Sequence, residues 1–200
     1  MSTHNFTVKE TFKEGWDLTL KHGWFLLCVF VAVGVIMSAV AAIPFFAMIV
    51  NTFVGVIITT LSLRIASGYT PTYKDLLTNL EEYKVVWHYF LVSLLYSVVV
   101  IVGLVAFILP GIYLATRLQF YKFIVIEHPD MGIVDIFKLS NTYSIGHFWQ
   151  LFAFLILIIM LNIVGALFFG VGLLITVPLT LIANAVIYKK LANKHNTPTA

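Results

Sequence analysis

Residues 109–130 read LPGIYLATRLQFYKFIVIEHPD. The stretch opens on a Pro-Gly turn, runs apolar, and returns to charge at Glu127-His128-Pro129-Asp130. A membrane span needs about 20 mostly apolar residues, so 111–127 reads as one. Its anomaly is two cations, Arg117 and Lys122, among aliphatic and aromatic neighbours.

The rest of the chain gives that reading its context. Of 200 residues, 60% are hydrophobic and 10% charged, with a mean hydropathy of +0.99. Soluble domains are about a quarter charged, so composition points to an integral membrane protein without a sizeable soluble domain. The net charge of +3 is small and spread along the chain, which argues against nucleic-acid binding. Cys28 is the single cysteine, so an intramolecular disulfide and CxxC chemistry are excluded. Six charges of both signs, Lys9 to Lys21, precede the first apolar run, unlike the short cationic start of a cleaved signal peptide.

Six spans are predicted: 24–43, 45–66, 86–109, 111–127, 148–169 and 171–191. They pair into three hairpins with uncharged tips at Ile43-Pro44, Leu109-Pro110-Gly111 and Gly170-Val171-Gly172. The lysines outside the spans, with those at the end of span six, lie on the opposite side: Lys9, Lys13, Lys21, Lys74, Lys84, Lys138, Lys189, Lys190 and Lys194. The positive-inside rule then places both termini in the cytoplasm. Phe6, Phe12, Trp16 and Leu20 recur near helical spacing before span one. Ile133, Ile136, Phe137, Leu139 and Tyr143 do so before span five. Both segments read as amphipathic helices, either in the membrane interface or packed on the protein's cytoplasmic face. The corresponding middle segment is more polar.

Trp24, Trp87 and Trp149 stand 63 and 62 residues apart, each opening an apolar span. The same offsets align Arg64, Glu127 and Lys189 at the ends of the even spans. The expectation is an all-α polytopic fold in one membrane domain, 1–200. Three parallel repeats, 6–68, 69–130 and 131–192, would form a pseudo-threefold bundle. Thr176, Thr180, Asn184 and Tyr188 step by four along span six, as do Asn51, Gly55 and Thr59 along span two. The offsets match Asn51 with Thr176, and Thr59 with both Lys122 and Asn184. This polar stripe is read either as interhelical hydrogen bonding or as a polar path.

On a straight helix from Gly111, Arg117 lies about 9 Å and Lys122 about 16 Å below the outer end. A central cation costs at least about 2.5–3.5 kcal/mol, so it must face protein, water or a headgroup. Tyr113 and Tyr121 lie at i−4 and i+4 from Arg117 and share its face. Arg117, Lys122, Tyr113 and Tyr121 are therefore the candidate ligand-binding residues. For Arg117, three roles stay open: a clamp on helix-end carbonyls, a site for a lipid phosphate or other anion, and the lining of a transport route. No catalytic residues, metal site or cofactor are expected. His4, His22, His88, His128, His147 and His195 form no HxxxH or HExxH pair, and no phosphate loop or GxSxG elbow occurs.

Pro110, Gly111, Arg117, Ser140 and Pro178, within PGIYLATRLQFYKFIVIE, IFKLSNTYSIGHFWQLF and GVGLLITVPLTLIANAVIYKKL, carry a resemblance. The chain resembles an uncharacterised family of bacterial six-span proteins related to the membrane region of glycerophosphodiester phosphodiesterases. The resemblance implies a bacterial inner-membrane location and no settled activity. The expected function is a non-enzymatic membrane protein that binds anionic lipid or organises membrane partners. The alternative is a small-solute or lipid transporter with a polar path along the even-numbered helices. Membrane lipids are the expected partners, and Gly34, Ser38 and Ala42 at fours leave open a homo-oligomer or membrane-protein partner.

Overall fold

The computed structural model describes residues 8–40, 43–72, 83–106, 108–167 and 172–196. Among them all regular structure is helical. The order is α1 (Val8–Lys21), α2 (Gly23–Val40), α3 (Pro44–Ala66), α4 (Tyr83–Ala106), α5 (Ile108–Leu118), α6 (Tyr121–Glu127), α7 (Ile133–Ser144), α8 (Phe148–Leu167) and α9 (Leu173–Asn196). Four segments are long and apolar enough to cross a membrane: Phe46–Ala66, Tyr83–Val105, Phe148–Leu167 and Leu173–His195. A fifth candidate is the pair α1–α2, bent by 84°. The tryptophans that begin α2, α4 and α8 are exposed by 81%, 61% and 77%, as residues meeting lipid headgroups require.

Punctuation explains most boundaries. Pro44 starts α3 at a position where a missing N–H costs nothing. At the other end of α3, Gly68 takes φ +79°, and the N–H groups of Ser67, Gly68 and Tyr69 cap the last carbonyls. Pro110 and Gly111 do not form a separate turn; they sit in the first turn of α5, where proline is tolerated.

The segment read as the fourth span is broken. α5 has 11 residues and α6 has 7, with a turn at Gln119-Phe120 between them. At 1.5 Å per residue α5 is about 16 Å long, roughly half of a 30 Å bilayer core. The second hairpin departs from simple up-and-down order as well. The first half of α4 lies beside the first half of α3: Tyr83, Val86, Trp87 and Phe90 face Met48, Ile49, Thr52 and Phe53 across one cleft. The ring of Tyr89 packs directly on Gly55.

α9 is the hub. Among the four long spans it is the most buried, and it contacts α1, α2, α3, α7 and α8. Small residues make this crowding feasible, because without a hydrophobic driving force helices gain mainly by close approach. α1 lays Thr11, Gly15 and Thr19 against its neighbours, with Gly15 on the backbone of Ala183. Trp16 and Leu20 point outward at 41% and 62% exposure. The apolar stripe read from sequence is thus the outward face of α1, as lipid contact demands. Phe6 and residues 73–82 of the middle segment lie outside the described residues, and the rest of that segment is the start of α4. α7 takes the packed alternative, burying Ile136, Ser140, Tyr143 and Ser144.

A Cβ on Gly15 would sit 2.8 Å from the Ala183 Cβ and 2.9 Å from its Cα, with no flexible side chain able to yield. Gly34 in α2 has nothing within 4 Å. Gly15→Ala should therefore destabilise the protein by about 1–3 kcal/mol through overpacking. Gly34→Ala should stabilise by about 0.5–1 kcal/mol through helix propensity. Thermal unfolding in detergent separates the two; equal shifts would refute the α1–α9 contact.

Candidate functional site

The break between α5 and α6 organises the site. A helix that stops leaves carbonyls without intrahelical partners, and a buried one must be satisfied elsewhere. Here α7 supplies the partners. Ser140 Oγ donates to the Arg117 carbonyl at 3.1 Å, and Ser144 Oγ lies 3.0 Å from the same oxygen. Ser140 Oγ in turn accepts from the Phe120 N–H at 3.3 Å. Both serines are fully buried. One hydroxyl thus bridges a donor and an acceptor released by the break.

This docking places Asn141 and the first turn of α8 around the Arg117 side chain. Arg117 Nη1 donates to Asn141 Oδ1 at 3.1 Å. The guanidinium carbon lies 5.1 Å from the centre of the Tyr113 ring and 6.0 Å from that of Phe148, within cation–π range. Tyr113 and Phe148 touch each other, with ring centres 5.2 Å apart. Arg117 Nε is buried without a hydrogen-bond partner, and no carboxylate pairs with Arg117 among the described residues. Beside this cation runs an apolar groove of about 470 Å³ between α5 and α8, walled by Leu109, Pro110, Ile112, Tyr113, Phe148, Trp149 and Phe152.

The other candidates disperse. The break ends the i, i+4 relation expected across it, so Tyr121 stacks on Tyr96 with ring centres 4.4 Å apart, away from the groove. Lys122 is half-buried, with its ammonium 5.4 Å from the Phe123 ring and no hydrogen bond or ion pair among the described residues. The polar stripe is used piecemeal. Thr59 lies 3.4 Å from the Tyr89 hydroxyl, Thr180 bonds the Val177 carbonyl, and Asn51 is exposed. Thr176 Oγ1 and Asn184 Oδ1 are buried on α9 without partners.

A second cluster forms where α3, α6 and α9 meet. Tyr188 donates to Glu127 Oε2 at 2.6 Å and Lys189 to Oε1 at 2.5 Å. The Tyr188 ring is buried between Phe120, Phe123 and Tyr143. Burial, then the Glu127 carboxylate, raises the Tyr143 phenol above its ordinary pKa. Glu127 and Lys189 also line a cavity of about 480 Å³ with Arg64, Thr60, Leu63, Ser67, Tyr69 and Ile126. Arg64, Glu127 and Lys189 are the three residues that the tryptophan offsets align. That signal stood in the sequence, but nothing there marked the three as one site. Among the described residues, no three His, Cys, Asp or Glu side chains are grouped to hold a metal.

Compared with protein families, curated proteins and solved structures, the chain finds no match in any of the three.

Ser140→Ala removes the bridge and strands the buried Phe120 N–H, which should cost about 1–3 kcal/mol. Thr142→Ala, whose hydroxyl bonds only the Lys138 carbonyl of its own helix, should stay within about 0.5 kcal/mol of the parent. Unfolding midpoints in detergent give the comparison, and a neutral Ser140→Ala would remove the bridge from the account.

Proposed function

We propose that this chain is a non-enzymatic integral membrane protein that binds an anionic lipid at Arg117. The observation that carries the reading is the junction of an apolar groove and an Arg117 side chain that has no carboxylate partner among the described residues. A lipid has the same two parts: a phosphate for the guanidinium fork and an acyl chain for the groove. Depth agrees. The guanidinium rests on Phe148, the first residue of the α8 span, next to the exposed Trp149. That is headgroup level, where a cation carries little desolvation penalty.

The proposed location is a bacterial inner membrane with both termini cytoplasmic. Supporting this, α1 packs along α9 from its middle, Gly15 on Ala183, to its last turns, where Glu14 pairs with Lys190. The lysine distribution makes that end cytoplasmic. A second reading, transport of a small solute or lipid along the even-numbered helices, draws on the unpartnered buried Thr176 Oγ1 and Asn184 Oδ1.

Native mass spectrometry of the protein in mixed phosphatidylglycerol and phosphatidylcholine tests the lipid site. The parent should retain the anionic lipid preferentially. Arg117→Gln should lower that preference about tenfold or more, the loss of one charge-assisted contact. Arg117→Lys should fall between, because it keeps charge but not the fork. Equal retention by all three, with parent-like unfolding midpoints, would defeat the proposal.

A further inference from the structure

We infer that the cleft between the first halves of α3 and α4 is a second lipid site, which holds an acyl chain and takes no account of headgroup charge. It rests on α3 and α4 crossing a bilayer, and it is independent of Arg117.

One face of each helix builds the cleft. Met48, Ile49, Thr52 and Phe53 recur at helical spacing along α3, as Tyr83, Val86, Trp87 and Phe90 do along α4. Both sets lie within segments long and apolar enough to cross a membrane. The helices meet one or two turns further along. There Tyr89 packs on Gly55, its hydroxyl lies 3.4 Å from Thr59 Oγ1, and the ring shares a buried cluster with Val56 and Val92. Toward the helix starts they part and leave about 810 Å³ between them. Small-molecule sites occupy about 300–1,000 Å³, so the space is that of a ligand rather than a packing gap.

The walls decide the occupant. No charged side chain is among those described, and the Thr52 hydroxyl is already used, donating to the Met48 carbonyl at 3.0 Å. Holding a water takes about 2–4 polar partners, which this interior does not offer. An apolar wall facing an empty gap forfeits its dispersion contacts, so the space favours an apolar filler. The neighbouring surface says which one. Met48, Ile49 and Phe53 are exposed, and the exposed apolar face runs on from Trp87 through Leu94, Val98 and Ile101 along α4. The cleft is therefore continuous with the face that α4 turns to lipid. Tyr83 and Trp87, both exposed at the start of the span, mark its headgroup end. Below them Trp87 stacks on Phe90 with ring centres 5.6 Å apart, a flat wall for a chain entering from that end. Without a cation in the walls, nothing selects the headgroup, in contrast to the groove beside Arg117.

The test uses the full chain, stripped of lipid in a neutral detergent, with Arg117→Gln throughout so that the α5–α8 groove does not contribute. Trp16, Trp24 and Trp149 are changed to Phe, leaving Trp87 as the only indole; a companion protein keeps Trp24 alone, an exposed indole on α2 outside the cleft. The probe is phosphatidylcholine brominated at mid-chain, which quenches an indole it touches. Trp87 should lose fluorescence with saturation near one lipid per chain, while Trp24 should not respond at that ratio. Phosphatidylglycerol with the same brominated chains should quench Trp87 equally. Thr52→Phe fills the cleft from α3 and should abolish the quenching of Trp87. Ile159→Phe, at an exposed position on α8, should leave it intact. The contrast between Trp87 and Trp24 needs no cleft variant, so it decides even where Thr52→Phe does not fold. The inference is overturned if both indoles are quenched alike, if folded Thr52→Phe keeps the quenching, or if only phosphatidylglycerol quenches Trp87. It is overturned equally if sedimentation finds a dimer that Thr52→Phe dissociates, since the occupant is then a second copy of the chain.

Discussion

The Arg117 carbonyl is where the architecture is decided. Water can satisfy a broken helix that it reaches, but a break buried within the protein, as here, must be satisfied by other protein groups. Two buried serines of α7 meet that demand at the α5–α6 break. The consequences spread from there. α7 is fixed against α5 and α6, so α8 must begin beside Tyr113 and Arg117. Freed from the direction of α5, α6 crosses to α3 and α9 and carries Glu127 to Tyr188 and Lys189. One hydroxyl-mediated junction thus sets the surroundings of both Arg117 and Glu127.

Around that junction, packing follows the logic of lipid rather than water. Large apolar side chains such as Trp16, Leu20, Trp24, Trp87 and Trp149 face outward, while Gly15, Ala183, Gly165 and Gly172 meet at helix crossings. Dispersion between closely approaching backbones replaces the hydrophobic effect as the attraction between helices. This also explains why α9 occupies the centre. Its Ala183, Ala185 and Ala192 are small enough to be surrounded, and its polar end reaches Glu127 and Glu14 through Lys189 and Lys190.

Much of this was legible in the sequence, and the limits have physical causes. Pro44 and the three tryptophans marked helix starts because proline chemistry and interface preference are local. Span lengths followed from apolar runs for the same reason. The break at Gln119-Phe120 was invisible: LQFYK contains no Gly or Pro, and the junction is held by residues 20 and more positions away, Ser140 and Ser144. For α1 the sequence left two alternatives open, because the spacing of Phe12, Trp16 and Leu20 shows an apolar stripe but not whether lipid or protein covers it. The arginine site was half legible. Arg117 and Tyr113 stood out as a cation and its i−4 aromatic, whereas Asn141 and Phe148 required the tertiary fold, and Tyr121 was lost to the break. Arg64, Glu127 and Lys189 were aligned by the repeat offsets without any sign that they would face one cavity.

The break also changes what the two cations in 109–130 mean. Counting 1.5 Å per residue from Gly111 puts Arg117 well inside the bilayer and Lys122 near its middle, at a penalty of at least about 2.5–3.5 kcal/mol for a central charge. That count fails beyond Leu118, where α5 ends. α5 spans only about half a bilayer core, and Arg117 meets α8 at its first residue. Arg117 itself lies before the break, in the last turn of α5, and its guanidinium rests on Phe148, where the α8 span begins. Lys122, in the first turn of α6, no longer has a depth set by α5, and its place follows from α6 packing on α3, α4 and α7. The break that divides this segment is therefore also what docks α7 there and brings Asn141 to its arginine.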